Sequence, residues 1–326
     1  MQQYNPMQYL AISIANQKGM DKDLWLDRIQ WVKDNINTLE QEEPTSSKEK
    51  FLYRKAVKAL RDTKEGKPVK YIMDLDATAS GAQLMSVLCK CPTTAKASNV
   101  INTGKREDLY TNIINKLVGV TLDRQVVKDA TIPAMYGSRA EPVKLFGADT
   151  PELQAYLIAL HATIPALGFM QVLGSTLWDK GATEHSWTLP DGHVVKCPNL
   201  VPKEARIEIC GTRFTHKWKE LGNSKVSTSL GVNITHSVDG YVVREMVRKA
   251  KKQGFVLVHI HDSFWTQPKY IQQVRQNYLV ILESIAKSDL LTDIAKQINP
   301  TFEGITYTQE EQDMWKHILN AEYALS

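Results

Sequence analysis

Apolar residues recur along this chain in two rhythms. Between Met20 and Glu40, the residues Leu24, Leu26, Ile29, Val32, Ile36 and Leu39 keep near-helical spacing and predict an amphipathic helix. Gln41–Glu49, reading QEEPTSSKE, interrupts that rhythm and predicts a loop in which Thr45 or Ser46 caps the next helix. A different pattern appears in Tyr71–Gln83, YIMDLDATASGAQ, and again in Phe255–Thr266, FVLVHIHDSFWT. In each, four to six mostly apolar residues lead into an aspartate, which predicts central strands over 71–75 and 255–260.

The other elements follow from local signals. A helix after Ser80-Gly81 packs on the sheet, 92–123 is short and helical, and a further helix covers 124–135. Thr150-Pro151-Glu152 is an N-cap followed by proline at the first helical position, opening a long apolar helix to about 179. Residues 186–236 form a hairpin and loop, with Pro190-Asp191-Gly192 as a turn. Helices fill 269–298 and 309–321. The fold class is α/β.

Composition narrows the picture slightly. At 326 residues and 43% apolar, the chain can bury one large core or two lobes. Lys+Arg number 40 against 36 Asp+Glu, a net charge of +4 that is a weak excess for a nucleic-acid protein. Local basic clusters exist at Lys48–Lys70 and Arg244–Lys252, each of which reads more readily as a solvated helix face than as a DNA contact. Cys89, Cys91, Cys197 and Cys210 lack zinc-site spacing and are expected to be reduced thiols in a cytoplasmic protein. The start MQQYNPMQYL has neither the basic nor the apolar region of a signal peptide, and no apolar run reaches the roughly 18 residues of a membrane span. No internal repeat or low-complexity segment stands out.

The candidate chemistry lies at the strand ends. Asp76 and Asp262 could share a pair of Mg²⁺ ions, the arrangement for in-line nucleotidyl transfer, although either alone reads as a turn residue or helix cap. In Arg124–Gly137, RQVVKDATIPAMYG, Arg124 and Lys128 share one helix face and Tyr136 lies two turns on. Two cations and an aromatic so placed could hold a triphosphate at one end and a nucleoside at the other; the plainer reading is a solvated basic face.

Three motifs in order carry a resemblance. Asp76 with Ser80-Gly81-x-Gln83, then Arg124-x3-Lys128-x7-Tyr136-Gly137, then His261-Asp262-Ser263-Phe264, resemble the A, B and C motifs of the single-subunit RNA polymerases of phages and mitochondria. Trp187–Gly192 is similar to the family's W-x-x-P-D-G turn and Asn233–Asp239 to its N-x-x-H-S-x-D segment. Ile318–Leu325 resembles its apolar C-terminal foot, and Ala15-Asn16 to Lys22 the lead-in to the palm.

The resemblance implies a right-hand polymerase palm with an antiparallel sheet and a mostly helical fingers subdomain. It divides the chain into a helical lead-in at 1–70, palm motif A at 71–91, fingers with the motif B helix at 92–185, and palm with motif C, hairpin loop and foot at 186–326. The thumb and N-terminal domain are expected to be missing, which implies the catalytic subunit of a split, heterodimeric phage RNA polymerase. Its expected partners are a second subunit, DNA template, RNA product, ribonucleoside triphosphates and an accessory DNA-opening protein, in the cytoplasm of an infected bacterium.

The resemblance also assigns roles. Asp76 and Asp262 would bind two Mg²⁺ ions, with the Ala77 carbonyl as a further ligand. Arg124 and Lys128 would neutralise the β- and γ-phosphates, with Lys22 as a third cation. Tyr136 would select ribose, His236 would face the new base pair and His261 would neighbour the primer end, while Asp191 and Gly192 only shape a turn. Pro133 is expected to kink its helix between Lys128 and Tyr136, and Asp129 to point away from the phosphates. The alternatives are a non-catalytic assembly subunit keeping the fold, or a related DNA polymerase or primase.

Overall fold

The two aspartates sit at one end of a small antiparallel sheet whose strands are shorter than the apolar runs that feed them. The computed structural model describes residues 1–45, 47–222 and 229–326. Its first third comprises α1 (Pro6–Ala15), α2 (Trp25–Asp34), α3 (Ser47–Lys64), strand β1 (Met73–Asp76) and α4 (Ser80–Leu88). Five helices follow: α5 (Pro92–Ala97), α6 (Leu109–Ile114), α7 (Arg124–Met135), α8 (Ala140–Phe146) and α9 (Pro151–Thr163), with α10 (Pro165–Leu177) behind them. Strands β2 (Glu184–Thr188), β3 (Val194–Pro198), β4 (Leu200–Ile209) and β5 (Thr212–Leu221) precede the long α11 (Ser229–Lys252). The chain ends with β6 (Val258–Ile260), β7 (Ser263–Thr266), α12 (Ile271–Lys287), α13 (Leu290–Ile298) and α14 (Gln309–Asp313).

The sheet order is β1-β7-β6, all antiparallel. Alternation sets which face is core: Met73 and Leu75 of β1, with Phe264 and Thr266 of β7, are buried, and Asp74, Asp76, Ser263 and Trp265 take the other face. The expected central strand at 255–260 is instead the exposed edge strand β6, three residues long. The central strand is β7, which follows the aspartate. His261, at positive φ of 53°, turns the chain back so that Asp262 sits in a tight hairpin.

Other expectations shift at identifiable residues. The helix expected over Met20–Glu40 is only α2, because Leu24 is extended before it and Asn35 leaves helical geometry after it. Of the two caps suggested for the next helix, Thr45 and Ser46, the latter lies outside the described residues. The long apolar helix to about 179 breaks into α9 and α10, bent by 94°. Pro165 is the cause, since it cannot donate a helical hydrogen bond and forces Ile164 out of helical geometry. Among the described residues no single helix is long and apolar enough to cross a membrane. Residues expected to be loop up to 236 already belong to α11. All four cysteines are free.

Two packing devices fix the frame around the sheet. Helices α10 and α11 approach until backbones touch: a Cβ on Gly231 would lie 2.3 Å from the Met170 carbonyl, and one on Gly174 would lie 2.6 Å from the Gly231 nitrogen. The buried Arg275 of α12 stacks 3.9 Å over Trp25 and donates to Glu322 at 2.9 Å. It thereby ties α2, α12 and the C-terminal segment together.

Candidate active site

The acids are brought together by register. β1 and β7 pair so that Asp76 lies opposite Ser263, and the Ala77 amide donates to the Asp262 carbonyl at 3.2 Å. The C-terminal segment closes the other side of β1. Ser326 and Asp76 exchange backbone hydrogen bonds of 2.9 and 3.4 Å, and the Thr78 amide donates to the Ala324 carbonyl at 3.2 Å. The turn after Asp76 is locked by Gln83, which is fully buried with both ends of its amide used. Its nitrogen donates to Thr78 Oγ1 (3.0 Å) and to the carbonyls of Ser98 and Ala324 (both 2.9 Å), and its oxygen accepts from Tyr278 (2.7 Å). Such a satisfied buried network fixes one loop geometry.

A polar cavity of about 410 Å³ opens beside Asp76. Asp76, Ala77, Lys22, Arg124 and Lys128 all line it, so five of the expected site residues, drawn from three separate stretches of sequence, share one space. Asn16, Asp21, Asp74, Arg106, Asp108, Tyr110 and Ser326 complete much of the wall. Helix α7 delivers both cations from one face; it is capped by Asp123, whose carboxylate accepts from Gln125 N at 2.7 Å. Asp129 is exposed, accepts from Gln125 Nε2 at 2.8 Å, and does not line the cavity. Pro133 lies in the last turn of α7 rather than its middle, so helical geometry persists to Met135 and Tyr136 follows as the C-cap.

A second cluster forms on the Asp262 side. Tyr136 and His236 pack with ring centroids 4.8 Å apart and their planes tilted by 54°. Burial, then the fields of Asp239 and Asp262, push the Tyr136 phenol above its ordinary pKa, so it stays protonated at neutral pH. Asp239 of α11 is raised by burial and next by the charge of Asp262, with His236 and His261 opposing. Asp239, named in the sequence only as the end of a motif, therefore belongs with Tyr136, His236, His261 and Asp262. These residues do not line the cavity beside Asp76; the β1–β7 register is what joins the two clusters.

The oxygen-only donor set suits a hard divalent cation. Asp76 ends β1 and Asp262 lies in the β6–β7 turn beside it, and no set of three His, Cys, Asp or Glu side chains converges as a closed metal cage among the described residues. An ion held here would need further oxygens from backbone, water or a bound phosphate, as Mg²⁺ sites usually do.

Sequence reasoning missed Arg106, Asp108 and Tyr110, which lie in the stretch REDLY with no periodic or motif signal. It also understated Asp191. That side chain is buried between Arg244 (2.6 and 3.2 Å) and Arg248 (3.1 Å), and the Arg244 hydrogen bond first holds its carboxyl well below the usual range. Asp191 thus fastens the β2–β3 hairpin to α11 as well as shaping a turn.

Comparison with known proteins shows the family. The family model for DNA-dependent RNA polymerase matches residues 3–140 and 149–324. The chain is 22% identical over 278 residues to the chloroplastic DNA-directed RNA polymerase 3 of Nicotiana sylvestris, a match covering 71% of this chain and 28% of the relative. Chloroplastic DNA-directed RNA polymerase 3A of Nicotiana tabacum gives the same figures. The chain belongs to the DNA-dependent RNA polymerase family. It spans about 28% of the length of these curated relatives.

Proposed function

We propose that this chain carries the catalytic centre of a DNA-templated RNA polymerase, adding ribonucleotides to an RNA 3′ end. The observation that carries the reading is the register that sets Asp76, which shares a cavity with Lys22, Arg124 and Lys128, next to the hairpin turn that carries Asp262. Asp76 and Asp262, with the Ala77 carbonyl, would hold two Mg²⁺ ions. When bound, these would activate the 3′-hydroxyl and offset charge on the leaving pyrophosphate.

The residues of the chain do the remaining work. Arg124 offers a planar fork to the phosphate chain, and Lys128 and Lys22 offer point charges. Tyr136, protonated and packed at a tilt against His236, would present its phenol to the incoming sugar and so favour ribose. His261, exposed in the β6–β7 turn, would neighbour the primer end. On this reading β1–β7–β6 is the palm sheet and α5–α10 belong to the fingers.

A finer part of the proposal is that a second polypeptide completes the enzyme, as in a split phage polymerase. Its support is exposed apolar surface: Ile158 and Val172 on α9 and α10 are 70% and 68% exposed, which a partner would cover.

The test is RNA primer extension on a pre-annealed RNA–DNA scaffold with Mg²⁺, comparing ribo- and deoxyribonucleotides. Ribonucleotide extension that Asp262→Asn abolishes supports the reading. Function that survives both Asp76→Asn and Asp262→Asn would instead mark a non-catalytic assembly subunit. Preferential deoxyribonucleotide extension would mark a DNA polymerase or primase.

A further inference from the structure

Arg124 does not reach into the cavity alone. Its guanidinium makes a very close ion pair with Asp108 Oδ2, and its other contact is the face of Tyr110, whose ring centroid lies 5.4 Å from Cζ. Both partners belong to the first turn of α6, a helix that packs against α7. Asp108 is itself anchored, because its other oxygen accepts from the Thr111 amide at 2.9 Å as the N-cap of α6. One carboxylate therefore does two jobs: it starts α6 and grips the side chain that projects from the next helix.

The environment makes this grip persistent. The Arg124 and Asp108 side chains are 34% and 22% exposed, so the pair is only partly screened by water. Burial works against the charged form of Asp108, but the Arg124 hydrogen bond and the Thr111 amide outweigh it and keep the carboxyl below its ordinary range. An unrestrained arginine has several rotatable bonds, and fixing them costs free energy each time an anion binds. Held by a carboxylate at one nitrogen and an aromatic face beneath, the guanidinium keeps its remaining donors free while its orientation is already set.

Resting on the polymerase reading, we propose that Asp108 and Tyr110 are positioning residues for nucleotide binding: they form a cradle that pre-orients Arg124 toward the phosphate chain of the incoming nucleotide. Neither touches the reacting atoms. Their effect falls on nucleotide affinity, with little on the chemical step.

The test uses Asp108→Asn, which keeps an oxygen for the Thr111 cap while removing the charge that grips Arg124. Steady-state primer extension should show KM for the ribonucleotide raised about tenfold, with kcat changed less than about threefold. A double-mutant cycle with Arg124→Ala separates positioning from general damage: the effect of Asp108→Asn should vanish once Arg124 is absent. Asp108→Glu, which keeps the charge, should restore much of the affinity. Calorimetric titration of the whole chain with Mg²⁺–ATP reads binding without turnover and should show the same weakening.

An unchanged KM, or an equal effect in the Arg124→Ala background, overturns the cradle. A lowered KM overturns it too, because Asp108 would then compete with the phosphates for Arg124. If the unsubstituted chain extends primers and binds Mg²⁺–ATP while the cycle shows no coupling, only the role of Asp108 fails. If the unsubstituted chain, purified together with whatever accompanies it, does neither, the polymerase reading has failed and the cradle falls with it.

Discussion

Two antiparallel strand pairs in this chain have opposite lives. β1 and β7 share only four residue pairs, while β4 and β5 share ten. The short pair is anchored on one face by Met73, Leu75 and Phe264, each 1% exposed. The long pair leaves Ile207, Ile209 and Phe214 at 42%, 56% and 50% exposure and, among the described residues, pairs with no other strand. Backbone hydrogen bonds alone thus do not make a strand pair a precise platform. What holds Asp76 and Asp262 in fixed relation is apolar burial beneath them, the Gln83 network beside them and the C-terminal segment along the outer edge. The ribbon has geometry without burial, which suits a surface element that meets something else.

The comparison can be sharpened by substitution. The largest effect is expected at the acids: Asp76→Asn or Asp262→Asn should lower primer extension on the order of 10³-fold or more with little loss of thermal stability, since both groups are at least partly exposed. A stability loss as large as the activity loss would show that the acids are structural.

Core and ribbon aromatics should then separate. Phe264→Ala should cost about 3–5 kcal/mol in denaturant unfolding, whereas Phe214→Ala should stay within about 0.5 kcal/mol. Similar costs at the two positions would break the contrast. Gly231→Ala, which drives a methyl into the Met170 carbonyl, should cost about 1–3 kcal/mol, and a neutral result would mean α10 and α11 can part cheaply.

Hairpin β2–β3 is secured both by burial of Trp187 and Leu189 and by an ion-paired carboxylate. Asp191→Asn should cost about 2 kcal/mol. The folded Asp191 pKa is depressed below an unfolded value near 3.9, so its contribution is complete above that pH and fades as pH falls through the folded value. The stability difference between the natural chain and Asp191→Asn should accordingly be flat from pH 7 to 5 and shrink below about 4. A difference that instead changes between pH 5 and 7 would point to another titrating group.

Much of the local structure was legible from order along the chain. The α7 boundaries at Arg124 and Met135, the Thr150 cap and the turn at Pro190-Asp191-Gly192 depend on neighbours within a few residues, and capping, proline chemistry and periodicity report such neighbours directly. The same holds for the strand leading to Asp76 and for the cations sharing a helix face. The strand order was not legible. An apolar run such as Phe255–Ile260 reads as central, yet it frays into an exposed edge because β7 takes the place between it and β1.

The sequence by itself determined the motifs, their order and the chemical types that gather at the site, because those are properties of single residues and short spacings. Only the tertiary structure decided that Asp108 and Tyr110 hold Arg124, that Asp239 joins the Asp262 cluster, and that the last residue pairs with Asp76. Those contacts join positions from 14 to more than 200 residues apart. Local pattern carries no record of them; they arise when burial of one shared core forces distant segments into contact.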